Sequence, residues 1–337
     1  MLSMAASRRG FKTHIFEPGA NPPAGQVADQ VTTAAYDDTT ALTAFANAVN
    51  VITFEFENIP ADALDTLEKI RPVLPARNAL ATSQDRITEK DFLTNLGVSV
   101  APYANIESET DLKSALDTVG APSIMKTRRF GYDGKGQSRL KSTDDGASAW
   151  AELGNTPCVL EGFIDFSREI SVIGARSESG EVVCFDPGEN VHRDGILHTT
   201  TLPASITGSQ RMDAVLLTGK ILNALNYVGV MGVELFVTPN GLLVNEIAPR
   251  VHNSGHWTQN GCVIDQFEQH IRAVAGWPLG NGERHSNVVM TNLIGADVLD
   301  VETLSKDASV GVHLYGKVDA KAGRKMGHVN KISPRTN

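Results

Sequence analysis

The residues best placed to do chemistry include two glutamates either side of a chain reversal. In the run Val233-Glu234-Leu235-Phe236-Val237-Thr238-Pro239-Asn240-Gly241-Leu242-Leu243-Val244-Asn245-Glu246, two apolar stretches flank a Pro-Asn-Gly turn. A three-residue loop would face Thr238 with Leu242. Counting back by twos then sets Glu234 opposite Glu246 on one face of the sheet. Carboxylates so placed repel each other unless a cation lies between them. Mg2+, bound through one or two carboxylates and substrate phosphates, is the matching cation. Two solvated glutamates on an open sheet face would have the same spacing.

Four further runs carry hydrogen-bonding or charged groups at close spacing. Lys126-Thr127-Arg128-Arg129-Phe130-Gly131-Tyr132-Asp133-Gly134-Lys135-Gly136-Gln137 has the glycines that let backbone amides approach phosphate oxygens, and lysines for charge. It matches neither a Walker A loop nor a GxGxxG turn, and a flexible charged hairpin has the same composition. The run Glu161-Gly162-Phe163-Ile164 can offer polar groups to an adenine, and Glu169 can accept both ribose hydroxyls. A surface strand with ordinary charges would also read this way. The loop Asn245-Glu246-Ile247-Ala248-Pro249-Arg250-Val251-His252-Asn253-Ser254-Gly255-His256-Trp257 places many polar types straight after an apolar strand, as site-lining loops do. Taken singly, His252 and His256 read as structural histidines. Near the C-terminus, Lys317, Lys321, Arg324, Lys325, Lys331 and Arg335 reverse the acidic character of the chain; they form either a phosphate pocket or a solvated tail. No nucleophile elbow is present, so covalent catalysis is not suggested.

The elements that must position these residues follow from pattern. A helix opens the chain, with Leu2, Ala5 and Ala6 on one face and Gly10 as its stop. Strands are expected at 11–16, 51–56 and 72–74, with a helix over 61–70, the alternation of a parallel α/β lobe. Residues 77–96 read as helical, and 119–161 as a small glycine-rich lobe. Strands at 169–175, 181–185, 230–237 and 242–246 surround a helix over 211–226. A parallel lobe ordinarily opens with a strand and a glycine turn ahead of its first helix. Here the helix comes first, so the expectation is a shortened lobe whose strands at 11–16 and 51–56 each lack a pairing edge.

The bulk properties narrow the class. A chain of 337 residues is too long for one ordinary core. A net charge of −9 argues against a general nucleic-acid binder. The three cysteines, Cys158, Cys184 and Cys262, are widely spaced, which suits a reducing compartment, and no apolar run is long enough for a membrane span.

Together these blocks resemble the ATP-grasp superfamily and, within it, the N5-carboxyaminoimidazole ribonucleotide synthetase family. The resemblance rests on Gln84-Asp85-Arg86 with Glu89-Lys90, the runs at 130–137, 161–171, 189–197 and 245–258, Leu314-Tyr315-Gly316-Lys317, and Gly323-Arg324-Lys325-Met326-Gly327-His328-Val329. It implies an α/β and α+β architecture: a pre-ATP-grasp lobe over 1–76 lacking its first strand, a linker helix and small lid over 77–162, and a mixed-sheet lobe over 163–337 with a subdomain at 285–337. It implies ATP and Mg2+, with aminoimidazole ribonucleotide and bicarbonate as small-molecule substrates, in a cytoplasmic homodimer of the purine pathway. Arg86, Lys126, Gly131, Tyr132, Asp133, Gly134, Lys135, Gly136, Gln137, Glu161, Gly162, Phe163, Ile164, Glu169, His192, Asn245 and Glu246 would bind the nucleotide. Glu234 and Glu246 would hold the metal. Asn253, Ser254, Lys317, Arg324 and Lys325 would face the ribonucleotide. Catalytic roles would fall to Asp133, Tyr132, His252, Arg250 and Lys317, with Asp133 orienting or deprotonating the amine. The family's glycine-rich opening is absent, and Phe185-Asp186-Pro187-Gly188 stands where a more apolar segment is usual. Another ATP-grasp ligase and a non-catalytic nucleotide binder are the rival readings.

Overall fold

The computed structural model describes residues 1–131 and 134–336. The chain starts in helix α1 (Leu2–Ser7), followed by β1 (His14–Phe16), β2 (Gln30–Thr32), α2 (Thr39–Asn47) and α3 (Ala61–Glu68). β1 and β2 pair in parallel. The expected strands at 51–56 and 72–74 shrink to a single parallel bridge, Ile52 to Val73. Extended backbone becomes a strand only with a hydrogen-bonded neighbour. The described backbone offers 51–56 no partner beyond that one. The apolar side chains still pack: Leu42, Phe45, Ile52, Phe54, Leu64 and Leu67 form one core.

The single helical stretch expected over 77–96 is two helices, α4 (Arg77–Ser83) and α5 (Arg86–Asn95). Asp85 breaks it. At φ −130° and ψ 119° it leaves helical geometry, and its carboxylate accepts the Ile87 amide at 3.0 Å. Four antiparallel strands follow: β3 (Tyr103–Ile106), β4 (Ser123–Thr127), β5 (Gln137–Leu140) and β6 (Cys158–Gly162), ordered β3-β6-β4-β5. Helices α6 (Glu109–Val119) and α7 (Gly146–Glu152) cover one face, burying Leu112, Ala115 and Trp150 against Met125 and Leu160.

The rest of the chain builds a larger sheet. Its strands are β7 (Arg168–Arg176), β8 (Val182–Cys184), β9 (Gly188–Arg193), β10 (Ile196–Leu202), β11 (Gly229–Thr238), β12 (Gly241–Ala248), β13 (Ser286–Ile294), β14 (Val310–Leu314) and β15 (Lys325–Pro334). Among the described residues the order is β12-β11-β7-β9-β10-β13-β15-β14, with β8 on β7. Residues 286–334 thus continue this sheet rather than forming one of their own. Helix α8 (Gly208–Ala224), capped by a Thr207–Gln210 box, packs on one face against Ile170, Val172, Met231 and Val233. Helices α9 (Thr258–Gly261) and α10 (Gln266–Val274) cover the other, where Trp257, Phe267 and Ile271 meet Ile173 and Val230. The unexplained Asp186 proves structural: its carboxylate joins Arg211 on α8 to the buried Arg284, 2.9 Å away.

Candidate active site

The hairpin of β11 and β12 does set Glu234 directly opposite Glu246, by a different route from the one expected. The loop has two residues rather than three, because Thr238 pairs with Gly241 and Val237 with Leu242. That register would leave Glu234 facing Asn245. A bulge at Asn245 adds one residue to β12 and returns Glu234 to Glu246. The bulged Asn245 turns its amide to Glu234 Oε2 at 3.5 Å. Burial pushes the Glu234 carboxyl well above the usual range, and the charges of Glu246 and Glu169 add to it. Burial acts the same way on Glu246, but Arg86 and Lys126 outweigh it and hold that carboxyl below its ordinary value. Arg86 Nη1 lies 3.2 Å from Glu246 Oε2. One turn along α5, Glu89 accepts the Ile247 amide at 2.5 Å, and burial beside Glu246 raises it to about 8.

Facing the hairpin is the smaller sheet. Lys126, on β4, reaches Glu161 Oε2 on β6 at 3.0 Å, and Lys90 on α5 approaches Glu161 Oε1 at 3.3 Å. Burial alone would raise the Glu161 carboxyl; Lys126, Lys90 and Arg86 together hold it low. That carboxylate therefore faces cations rather than an open adenine pocket. Phe163, which is exposed, and Ile164 follow directly from Gly162, the last residue of β6, and Phe163 stacks 4.9 Å from the Arg139 guanidinium. In the glycine loop, Gly136 has φ +70°, and a Cβ there would lie 2.7 Å from Thr127 Oγ1. Gly131, Gly134, Lys135 and Gln137 complete the described part, and Gly134 comes against Gly195 on the turn from β9 to β10. Tyr132 and Asp133 lie outside the described residues. Across the large sheet, Glu169 Oε1 sits 3.3 Å from His192 Nδ1.

The loop after β12 closes the site. Gly232 on β11 makes room for it, since a Cβ there would lie 2.7 Å from His252 Cβ. His252 Nε2 stands 3.6 Å from Glu234 Oε1, and Nδ1 meets Ser254 Oγ at 2.8 Å. Ser171 donates to the same Ser254 oxygen at 2.7 Å. Burial, then Arg250 and Lys325, drives the His252 imidazole well below its usual value, so it is neutral. Arg250 pairs with Glu57 at 2.9 Å, and Asn253 exchanges amide hydrogen bonds with Asn292 at 2.9 and 2.7 Å. Lys317 donates to the Lys325 carbonyl at 2.8 Å, and Gln26 donates to Gly316 at 3.0 Å, tying this end of the sheet to the N-terminal lobe. Lys325 acts on Glu234 and His252 through its charge. Arg324 instead bonds the Asp319 carbonyl at 3.2 Å, within its own loop.

Three family descriptions match along the chain: a ribonucleotide synthetase preATP-grasp domain over 1–84, an ATP-grasp domain over 91–267, and a phosphoribosylaminoimidazole carboxylase C-terminal domain over 288–337. The N5-carboxyaminoimidazole ribonucleotide synthase of Brucella melitensis is 53% identical over 339 residues, covering 100% of this chain and 94% of that protein. The chain belongs to the N5-carboxyaminoimidazole ribonucleotide synthase family. An N5-carboxyaminoimidazole ribonucleotide synthetase solved as its ADP complex superposes with a TM-score of 0.95 at 39% identity, over 98% of this chain and 89% of that one. The Aspergillus clavatus synthase, solved with ADP and 5-aminoimidazole ribonucleotide, superposes with a TM-score of 0.92 at 28% identity, over 99% and 90%.

Several residues around this synthase-family site carry no sequence signal of their own. Glu57 holds Arg250 from the N-terminal lobe, and it directly follows a stretch that reads only as an ordinary strand. Asn292 lies inside β13 and Ser171 inside β7, where a polar residue reads as an ordinary strand position. Their partners are 39 and 83 residues away, beyond any local pattern.

Proposed function

We propose that this chain carboxylates 5-aminoimidazole ribonucleotide with bicarbonate and ATP, yielding N5-carboxyaminoimidazole ribonucleotide, ADP and phosphate in purine biosynthesis. The observation that carries this reading is the opposed Glu234–Glu246 pair, ringed by Arg86, Lys126, Arg250 and Lys325, in a chain of this family. Bicarbonate oxygen takes the γ-phosphoryl of ATP to give carboxyphosphate and ADP. The exocyclic amine then attacks the carboxyl carbon, loses a proton, and phosphate leaves. Such chemistry rests on positioning and charge neutralisation.

The residues present fit Mg2+. Two carboxylates face each other at one level, and burial together with the Glu246 charge raises the Glu234 carboxyl, a repulsion that a bound cation would relieve. Among the described residues no third histidine, cysteine or acid completes a cluster, which suits a cation that keeps waters and takes phosphate oxygens. Glu234 and Glu246 would hold it, and it would supply charge neutralisation for the phosphates. Arg86 and Lys126 meet the phosphates under the loop of Gly131, Gly134, Lys135, Gly136 and Gln137. The segment of Gly162, Phe163 and Ile164 takes adenine, and Glu169 with His192 takes the ribose. Arg250, neutral His252, Asn253, Ser254, Lys317, Arg324 and Lys325 receive the ribonucleotide and bicarbonate. Asp133, with Tyr132, is our candidate for the amine proton.

We read the chain as three working parts, 1–76, 77–162 and 163–337, because each builds its own sheet, and as a homodimer. A cytoplasmic setting is supported by the free thiols of Cys158, Cys184 and Cys262. No helix of the described residues is long and apolar enough to cross a membrane. The test is ADP release: full rate should require both bicarbonate and aminoimidazole ribonucleotide. Turnover with formate in place of bicarbonate would make it a different ATP-grasp ligase, and nucleotide binding without turnover a non-catalytic binder.

A further inference from the structure

Lys90 has a chemical role that the motifs do not assign. Its side chain is only 2% exposed, and a buried ammonium persists only beside an anion. The anion is Glu161, whose two oxygens are divided between Lys90 at 3.3 Å and Lys126 at 3.0 Å. Two ammoniums thus share one carboxylate, one at each oxygen, and the Arg86 charge also acts on it. The triad is asymmetric: Lys90 is enclosed behind β3, with the Tyr103 ring 6.0 Å from its ammonium, whereas the Lys126 side chain is 13% exposed. Of the two lysines, Lys126 is the one presented to the site, where its charge also acts on Glu246.

Helix α5 holds Lys90 firmly in place. At its N-terminus Asp85 grips Arg128 of the lid at 2.7 Å, while Arg86 and Glu89 grip β12. We propose that Lys90 is a positioning residue for nucleotide binding: it neutralises Glu161 from the buried side, so that Lys126 can turn its charge to the ATP phosphates. This rests on the reading of Lys126 as a phosphate contact.

The division of Glu161 between two lysines makes the test specific. Lys90→Met removes the cation at similar volume. Glu161 then has Lys126 as its nearest counter-ion, the pair is neutral, and phosphates must compete with Glu161 for it. The Michaelis constant for ATP and the dissociation constant of a nonhydrolysable analogue should rise on the order of tenfold, with that for aminoimidazole ribonucleotide unchanged. Adding Glu161→Gln removes the competing anion, so the double variant should bind ATP better than Lys90→Met alone. A purely structural lysine gives the reverse: a lowered melting temperature, unchanged ATP constants in the single variant, and a double variant no better than it. That result would overturn the proposal. If Lys90→Met does not accumulate, Lys90→Gln removes the charge but keeps a donor, and the same rise is expected. Lys126→Met reports separately on the underlying reading. Unchanged ATP affinity there removes Lys126 from the phosphate site. A loss there, beside unchanged affinity in Lys90→Met, overturns the role of Lys90 alone.

Discussion

Glu234 and Glu246 occupy equivalent positions on adjacent strands yet are driven in opposite directions, one carboxyl raised by burial and the other held low beside Arg86. Glu246→Gln keeps the shape and an acceptor for Arg86 but removes the charge. Turnover should fall on the order of a hundredfold, while stability changes by less than about 1 kcal/mol, because the ion pair is partly solvated. Steady-state rates beside a denaturant titration check both parts, and wild-type turnover would remove the paired-carboxylate reading. His270 affords a pH test elsewhere. Its Nδ1 accepts the Val230 amide at 3.0 Å, so the ring proton sits on Nε2, 2.7 Å from Thr53 Oγ1. Burial lowers the imidazole to about 4. Between that value and the unfolded value near 6.5, the unfolded chain binds the extra proton. Stability is therefore full above about 6.5 and lost as pH falls towards 4, by at most about 3 kcal/mol. In His270→Asn the fall in unfolding free energy between pH 7 and 5 should be smaller; an unchanged slope would refute the assignment.

At the level of elements, Asp85 does two jobs, and substitution can separate them. It caps α5, and it accepts a forked contact from Arg128 at 3.0, 3.1 and 2.7 Å. Asparagine caps a helix about as well as aspartate, whereas alanine does not. Asp85→Asn should therefore weaken mainly the tie to the lid, and Asp85→Ala should cost about 1 kcal/mol more in thermal or chemical unfolding. Equal losses would mean the cap contributes nothing. This helix break was written in the sequence as Gln84-Asp85-Arg86, but the periodic apolar pattern of 77–96 hides it. The apolar strands β7 and β11 were legible to within a residue, because Val and Ile crowd into them. β13 and β15 were not. Their buried positions include Asn292, His328 and Asn330, which bond Asn253, Tyr315 and Asn260 on other elements, so alternation is lost. The strand expected at 51–56 failed for the opposite reason: its composition suits a strand, but the described backbone gives it a single bridge. The site was legible wherever charge and glycine clustered. The supports at Glu57, Lys90 and Asn292 depend on tertiary pairing.

Across the whole molecule, the proposed nucleotide site lies between two sheets that α5 and the glycine loop connect. The small sheet has a modest core of its own, in which Ile106, Met125, Leu140, Trp150 and Leu160 are the large members. Local opening of a unit with so little buried area costs little free energy. Gly134 already meets Gly195 on the β9–β10 turn: a Cβ on Gly134 would lie 3.3 Å from Gly195 Cα. This contact joins the small sheet to the large one, and ATP should act by holding it. Phosphates engaged by Lys126 and by the amides of Gly134 to Gln137 would raise the cost of opening. A nonhydrolysable ATP analogue should then slow amide exchange at 123–127 and 134–140, on the small sheet, and at 193–196, on the turn it touches. Protection on the order of tenfold would correspond to about 1.4 kcal/mol of added resistance to opening. The helices α2 and α3, remote from this contact, should exchange at the same rate with and without the analogue. Protection confined to the small sheet would mean that the Gly134–Gly195 contact is not held by nucleotide. Equal exchange everywhere would mean that the small sheet does not move over the phosphates at all.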